Sequence, residues 1–502
     1  MRFPRILSSL VLALTLAVPA LRAAGDLTTL TLAEAAARIR AGTVTSVQLT
    51  EACLARIAIY DPKLDAFITV MKDQALAQAK QLDAEARAGR FRGPLHGVPI
   101  ALKDNVDTAN ARTTGGSALF AERLPAEDAP IVTRMVAAGA VIIGKTNLQE
   151  FAMGGGESSF WGPARNPWNL AHNTGGSSSG SGAAISAFLA YGAIGTDTGG
   201  SIRMPASFSG IVGHKPTYGL VPIRGIIPLR VTMDHAGPMT RTVEDSAIML
   251  NVLAGYDQLD ITSVERAPKE DYVAALKQPV KGLKLGLPVG FFDHLDPEVK
   301  AAFDAAVAVL NQLTSGSREM YLPAAPRPLA GAAETLAWHE KYVKESASLY
   351  MLPQRRRLEA LAKDGGGTAV DYVKGMWEVQ ILRRTIDDEF AKAGVDLVVV
   401  PTHRILPPKL DDLLDRAYST NPSDPRLTSN CWPFNLFGLP AISIPCGFSK
   451  DGLPIGLMIA GPHFADGKVL ALAHAYEQAT EWHKRIPPLT PDTPKPPVGK
   501  KS

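Results

Sequence analysis

The chain has 502 residues, 46% hydrophobic and 20% charged, with a net charge of +3 from 52 basic and 49 acidic side chains. That composition supplies a large core, and so balanced a charge does not imply a nucleic-acid or membrane-surface partner. The three cysteines, Cys53, Cys431 and Cys446, are too few for a disulfide framework. Cys53 sits in a helical pattern and reads as a small buried residue. Cys431 and Cys446 could pair in an oxidising compartment, but burial as free thiols is the favoured reading.

Residues 1–24 pass from a basic segment, MRFPR, through the apolar ILSSLVLALTLAVPAL to small residues at Ala20, Ala23 and Ala24. This is the layout of a secretory signal peptide, so a periplasmic or secreted protein is expected. The run is short for a membrane span and Pro19 interrupts it. No cysteine follows it, which argues against a lipoprotein. Beyond the leader, Thr31 and Glu34 form a capping-box pattern. A helix is expected through VQLTEACLARIAIY to Asp61–Pro62, then a strand DAFITV and a long helix DQALAQAKQLDAEARAG. Strand VPIALKD carries Lys103 at its C-terminal end. Helix APIVTRMVAAG and strand AVIIGKTN follow, and RNPWNLAHNT reads as loop. Strand LKLGLPVG, helix PEVKAAFDAAVAVLNQL, helix DYVKGMWEVQILRRTIDDEFAKAG and strand VDLVVVPT come later. LPAISIPCGF and PIGLMIAG read as paired strands before a last helix, VLALAHAYEQAT. Helices alternating with buried strands imply a layered α/β architecture. One domain over 27–490 is expected, with 491–502 a disordered tail rich in proline and lysine.

Two short patterns fail on context. Gly139–Thr146 (GAVIIGKT) matches a phosphate-binding loop formally, but AVII suits a strand better than a phosphate nest, so Lys145 ends a strand. Gly176, Ser178 and Gly180 match a nucleophile elbow, but that motif needs a strand immediately upstream. No histidine has a diagnostic context and no His-Glu metal motif occurs. A third constellation is more specific: Lys103 in GVPIALKDNVD, Ser177 in GGSSSGSG and Ser201 in GTDTGGSIRMPAS, in that order. With TNLQEFAMG, GIVGHKPTYGLVP, MDHAGPMTRTVEDSA and GLPAISIPCGF…GLPIGLMIAG, these resemble the amidase signature family over about residues 30–480.

The resemblance implies a three-layer α/β/α sandwich with a large mixed central sheet. It implies hydrolysis of linear amides through a serine acyl-enzyme, with no metal and no cofactor. Ser201 matches the family's nucleophile, Ser177 its cis-peptide serine and Lys103 its lysine base. The backbone N–H groups of Thr198, Gly199, Gly200 and Ser201 form the expected oxyanion hole. Ser178 is expected to orient the relay, and Asp197 and Arg203 to brace the loop. Lys103 must be neutral to draw a proton from serine, and burial can supply that. AAISAFLA is expected to be the buried helix that fixes the distance between the two Gly/Ser clusters. The expected partner is a small-molecule amide, with no nucleic acid and no stable membrane insertion after processing; monomer and homodimer are both left open. Alternatives are a carbamate or ester hydrolase and an inactive binding protein of the same fold. Specificity is expected from Phe160–Trp161, the helical insertion around 325–390, and loop 403–434 with Trp432 and Phe434.

Overall fold

The computed structural model describes residues 26–154, 158–265, 267, 269–325, 330–363, 367–418 and 429–497. The leader 1–24 therefore lies outside the described residues, as do 419–428 of the expected specificity loop and 498–502 of the tail.

Thirteen strands are described: β1 Phe67–Val70, β2 Pro99–Lys103, β3 Val141–Thr146, β4 Arg165–Asn166, β5 Asn169–Asn173, β6 Gly192–Asp197, β7 Val212–Lys215, β8 His235–Thr240, β9 Leu285–Pro288, β10 Ser317–Met320, β11 Leu397–Pro401, β12 Ala441–Phe448 and β13 Pro454–Ala460. Eleven of them form one sheet in the order β1-β3-β2-β6-β8-β7-β12-β13-β11-β9-β10. The sheet is mixed. β3, β2 and β6 are parallel, as are β10, β9 and β11, while β6, β8, β7, β12, β13 and β11 run antiparallel. Every residue of β2, β3, β6, β8, β11 and β13 is buried. Successive side chains of a strand point to opposite faces, so burial of all of them means helices cover both faces. The layered α/β architecture that the alternating pattern implied, and the large mixed sheet that the resemblance implied, are the fold observed.

Local signals explain most of the elements. Thr31 accepts from the Glu34 N–H at 3.1 Å, and Glu34 accepts from the Thr31 N–H at 2.9 Å, so the capping box opens the helix Leu32–Arg40. The next helix, Ser46–Leu64, runs past the expected stop at Asp61–Pro62. The Asp61 carboxylate explains the extra turn, since it accepts the N–H groups of Ala66 and Phe67 where the chain leaves the helix. RNPWNLAHNT is not plain loop but the hairpin β4–β5; the Asn166 side chain accepts the Trp168 N–H at its turn, an Asx-type contact that takes the place of apolar alternation. In the tail, residues 491–497 are tied down: Lys495 lies 2.6 Å from Asp65, and Lys63 donates to the Thr493 carbonyl at 2.7 Å. Composition alone signalled disorder there because these partners sit some 430 positions away.

Cys53, Cys431 and Cys446 are all buried and free. No described helix is long and apolar enough to cross a membrane.

Candidate active site

The stretch GGSSSGSG divides in two. Gly175–Ser178 is a turn, and Ser179 begins a helix that ends at Ser186. The buried helix expected over AAISAFLA therefore starts four residues early, inside the glycine-serine run, and is over before Phe188, which sits at φ 60°. The start is early because the small residues let the first turn press against its neighbours. A β-carbon on Gly180 would overlap the Ala66 carbonyl and the Asn147 backbone, and one on Gly176 would overlap the Gln149 side chain. The Gly176–Ser177 peptide is cis. The Ser177 carbonyl accepts the Gln149 N–H at 3.2 Å, and the Ser178 N–H donates to the Ser201 carbonyl at 3.3 Å. The second of these bonds holds the first cluster to the second, and the first ties it to the segment after β3.

Lys103 ends β2, wholly buried. Its Nζ donates to Ser177 Oγ and to Thr196 Oγ1, each at 2.8 Å, and lies 3.5 Å from the Thr196 carbonyl. Asn105 also donates to Thr196 Oγ1, at 3.1 Å. Burial disfavours the ammonium and pulls Lys103 down to about 7, against the opposing charges of Asp197 and Asp234. Thr196 is therefore the second anchor of the lysine, and sequence reasoning missed it. The available signal was a threonine at the polar end of an apolar strand, two positions before Thr198 in GTDTGGS. Ser178 Oγ lies 3.2 Å from the Thr196 carbonyl and 3.3 Å from its N–H, so it fixes the segment that holds Lys103.

Around Ser201, Asp197 organises the turn. Its carboxylate accepts from Gly200 N at 2.6 Å and Ile202 N at 3.1 Å, from Arg203 at 3.0 and 3.1 Å, and from Asn435 at 2.8 Å. Burial opposes the Asp197 charge, but the adjacent Arg203 outweighs it and holds the carboxyl well below its ordinary range. Arg203 also donates to Asn435 Oδ1 at 2.5 Å and to the Cys431 carbonyl at 3.1 Å. These bonds tie Asp197 and Arg203 to the turn, and Asn435, 238 positions from Asp197, joins them.

One expected donor is already committed. The Gly200 N–H donates to Asp197, whereas the N–H groups of Thr198, Gly199 and Ser201 have no acceptor among the described residues. Thr198, Gly199 and Ser201 line a cleft of about 420 Å³. Thr198 Oγ1 donates to Asp234 at 2.5 Å, and a β-carbon on Gly199 would meet the Trp432 ring at 3.3 Å. No hydrogen bond joins the Ser177 and Ser201 hydroxyls among the described residues.

The remaining cleft wall sorts the expected specificity residues. Trp432, His403, Ile405, Pro408 and Leu413 of the 403–434 region line it, and the insertion contributes Arg357. Phe434 is fully buried in the core instead, against Phe291. Phe160 and Trp161 pack edge to face on each other and are absent from the cleft wall. Phe160 is 52% exposed, because the turn beginning at Ser159 carries it outward. Arg230 and Arg357 are the cationic lining, and no carboxylate lines the cleft among the described residues. No group of three or more His, Cys, Asp or Glu suited to a metal occurs among the described residues.

Lys145, the lysine of the formal phosphate-loop match, lies within β3 and is wholly buried. It donates to the Val106 carbonyl and Thr113 Oγ1, each at 2.7 Å, and pairs with Asp104 at 3.4 Å.

Comparison with known proteins places the chain in a family. The Amidase family profile matches residues 48–470. A glutamyl-tRNA(Gln) amidotransferase component of Thioalkalivibrio sulfidiphilus is 41% identical over 91% of this chain and 98% of its own length. The peptide amidase of Stenotrophomonas maltophilia superposes with a TM-score of 0.79 at 32% identity, over 93% of this chain and 99% of that one. A 6-aminohexanoate cyclic dimer hydrolase reaches 0.81 at 28% identity, over 92% and 99%. With its sheet, its Lys–Ser–Ser constellation and this breadth of match, the chain belongs to the amidase signature family.

Proposed function

We propose that the protein is an exported amidase that cleaves the carbon–nitrogen bond of a small-molecule or peptide amide through an acyl-enzyme on Ser201. One observation carries this reading: a wholly buried lysine, pulled down to about 7, donates at 2.8 Å to Ser177, next to the cleft that holds Ser201. A neutral amine there accepts a proton at ordinary pH, which a surface lysine cannot.

Ser201 Oγ adds to the substrate carbonyl as its proton passes through Ser177 to Lys103. The hydroxyl of Ser201 turns toward Ser177 when substrate fills the cleft; apo sites often hold such contacts loosely. The N–H groups of Thr198, Gly199 and Ser201 take the developing oxyanion. The C–N bond then breaks, with the proton returned from Lys103 through Ser177 to the leaving nitrogen. Water repeats the sequence on the ester and releases the acid. Rapid acid quench during turnover of an amide, followed by peptide mass mapping, should find the acyl mass on the peptide containing Ser201. Its absence from that peptide, or its presence on another serine, overturns the assignment.

Export rests on the order of basic, apolar and small residues in 1–24. N-terminal sequencing of protein from a bacterial envelope fraction tests it, and an intact Met1 end in the cytosol refutes it. A second reading, a glutamine-hydrolysing component of a tRNA amidotransferase, draws support from the 40–41% identity to such relatives. Glutamine hydrolysis that requires added tRNA-binding partner proteins would favour it over the amidase.

A further inference from the structure

Asp234 lies in MDHAGPMTRTVEDSA, one residue before β8, and the proposed chemistry gives it no part. Its carboxylate makes three contacts that matter to the cleft. Oδ1 accepts Thr198 Oγ1 at 2.5 Å, and Oδ2 accepts the N–H groups of Leu229 at 2.9 Å and Arg230 at 3.0 Å. Thr198, Leu229 and Arg230 all line the cleft. One buried side chain therefore fastens the Thr198 turn to the Leu229–Arg230 part of the wall.

Lys103 faces two carboxylates, Asp197 and Asp234. They differ in surroundings. Asp197 is matched by Arg203, whereas the hydrogen-bond partners of Asp234 are a hydroxyl and two backbone amides. Burial pushes Asp234 up to about 6, and Glu334 is the other carboxylate that faces it. We propose that Asp234 is a positioning residue with two effects: it clamps Thr198 against the Leu229–Arg230 wall, and it presents to Lys103 a negative charge that no arginine side chain pairs with among the described residues.

The two effects separate experimentally. In Asp234→Asn the charge goes, so the proton on Lys103 is held less firmly. The rising limb of kcat/KM against pH should then move to the acid side by about half a unit. The asparagine oxygen can still accept both backbone N–H groups while its NH2 donates to Thr198 Oγ1, so the clamp survives without the charge and kcat should fall by no more than about a few-fold. In Thr198→Val the clamp goes while the carboxylate stays: kcat should fall with KM little changed and with the limb in its wild-type place. Thr198→Ser, which keeps the hydroxyl, should recover most of what valine loses. A purely structural role would lower kcat in Asp234→Asn without moving the limb, and that result overturns the electrostatic half. Equal kcat in Thr198→Val and wild type overturns the clamp. The thermal midpoints of all three variants show whether each is folded, and Thr198→Val keeps the clamp testable if Asp234→Asn fails to fold. The inference rests on Lys103 being the base. If wild-type activity shows no limb attributable to Lys103, that reading fails first; a limb that is present but unmoved in Asp234→Asn sinks this one alone.

Discussion

Lys103 and Lys145 stand on neighbouring parallel strands, both wholly buried and both pulled below the ordinary lysine range, with burial the largest cause. The register pairs Lys103 with Thr146 and Leu102 with Lys145, so the two side chains leave opposite faces of the sheet. Partners decide the rest. The short contacts of Lys103, at 2.8 Å, are to two hydroxyls, groups that both give and accept a proton, and the Thr196 carbonyl lies further off at 3.5 Å. Lys145 meets the Val106 carbonyl and the Asp104 carboxylate, which only accept, together with the Thr113 hydroxyl. The first environment tolerates a neutral amine. The second needs a donor at all times, and it ties the 104–113 segment to β3. Burial is thus common to a proposed base and a structural brace, and hydrogen-bond chemistry tells them apart.

The sharpest break in that comparison comes from exchanging each lysine for methionine. Lys103→Met should lower amide turnover by about 10² to 10⁴ and abolish the rise of activity with pH that centres near 7 in the wild type. The sign follows from the lowered value: Lys103 is protonated and inactive below it, and neutral above it. The thermal midpoint should hold, since a charged or polar nitrogen has been replaced by an apolar chain of similar length. If Lys103→Met keeps both rate and pH profile, the proton goes elsewhere.

Next in size is the demand of the leaving group. Ser177→Ala should depress amide cleavage more than cleavage of an activated ester with the same acyl group, because a nitrophenolate departs without a proton. The amide-to-ester ratio should fall by about 10². Ser201→Ala should remove both activities alike. Equal losses on the two substrates in Ser177→Ala would reduce Ser177 to a loop residue.

The smallest effect on chemistry and the largest on folding should come from Lys145→Met. It leaves the Asp104 carboxyl buried without its cation, a change that costs about 3–5 kcal/mol where one partner of a buried pair is removed. Denaturant unfolding should show that loss, while activity per folded molecule stays within a few-fold of wild type. A stable but inactive Lys145→Met would erase the distinction between the two lysines.

How much of this the sequence displayed depends on distance along the chain. The strands carrying Lys103 and Lys145 were legible from β-branched runs, and the Lys103–Ser177–Ser201 set from three local patterns. Thr196 was hidden because a threonine ending a strand looks like any other until β2 and β6 are known to be neighbours. Asn435 and Asp234 were beyond reach, since each acts across a fold contact that no spacing encodes. The bond made by the Gly200 N–H is illegible for a related reason: a run of N–H groups suggests a nest, but only the position of the Asp197 side chain shows which of them it takes. Phe434 and Trp432, two residues apart, were not separable by composition, and a single turn of helix sends one to the core and the other to the cleft.

The crowding around Gly176 and Gly180 has a practical corollary for anyone wishing to redirect this enzyme. By letter frequency, 175–182 looks like the most expendable part of the chain, the place to splice a tag or randomise codons. With a carbonyl, an amide and a glutamine pressed against those α-carbons, almost every member of such a library would be dead before selection began. Diversity is better spent at Ile405, Leu413 and Arg357, side chains that face the cleft from outside the crowded floor and can be varied without displacing the backbone beneath Ser201.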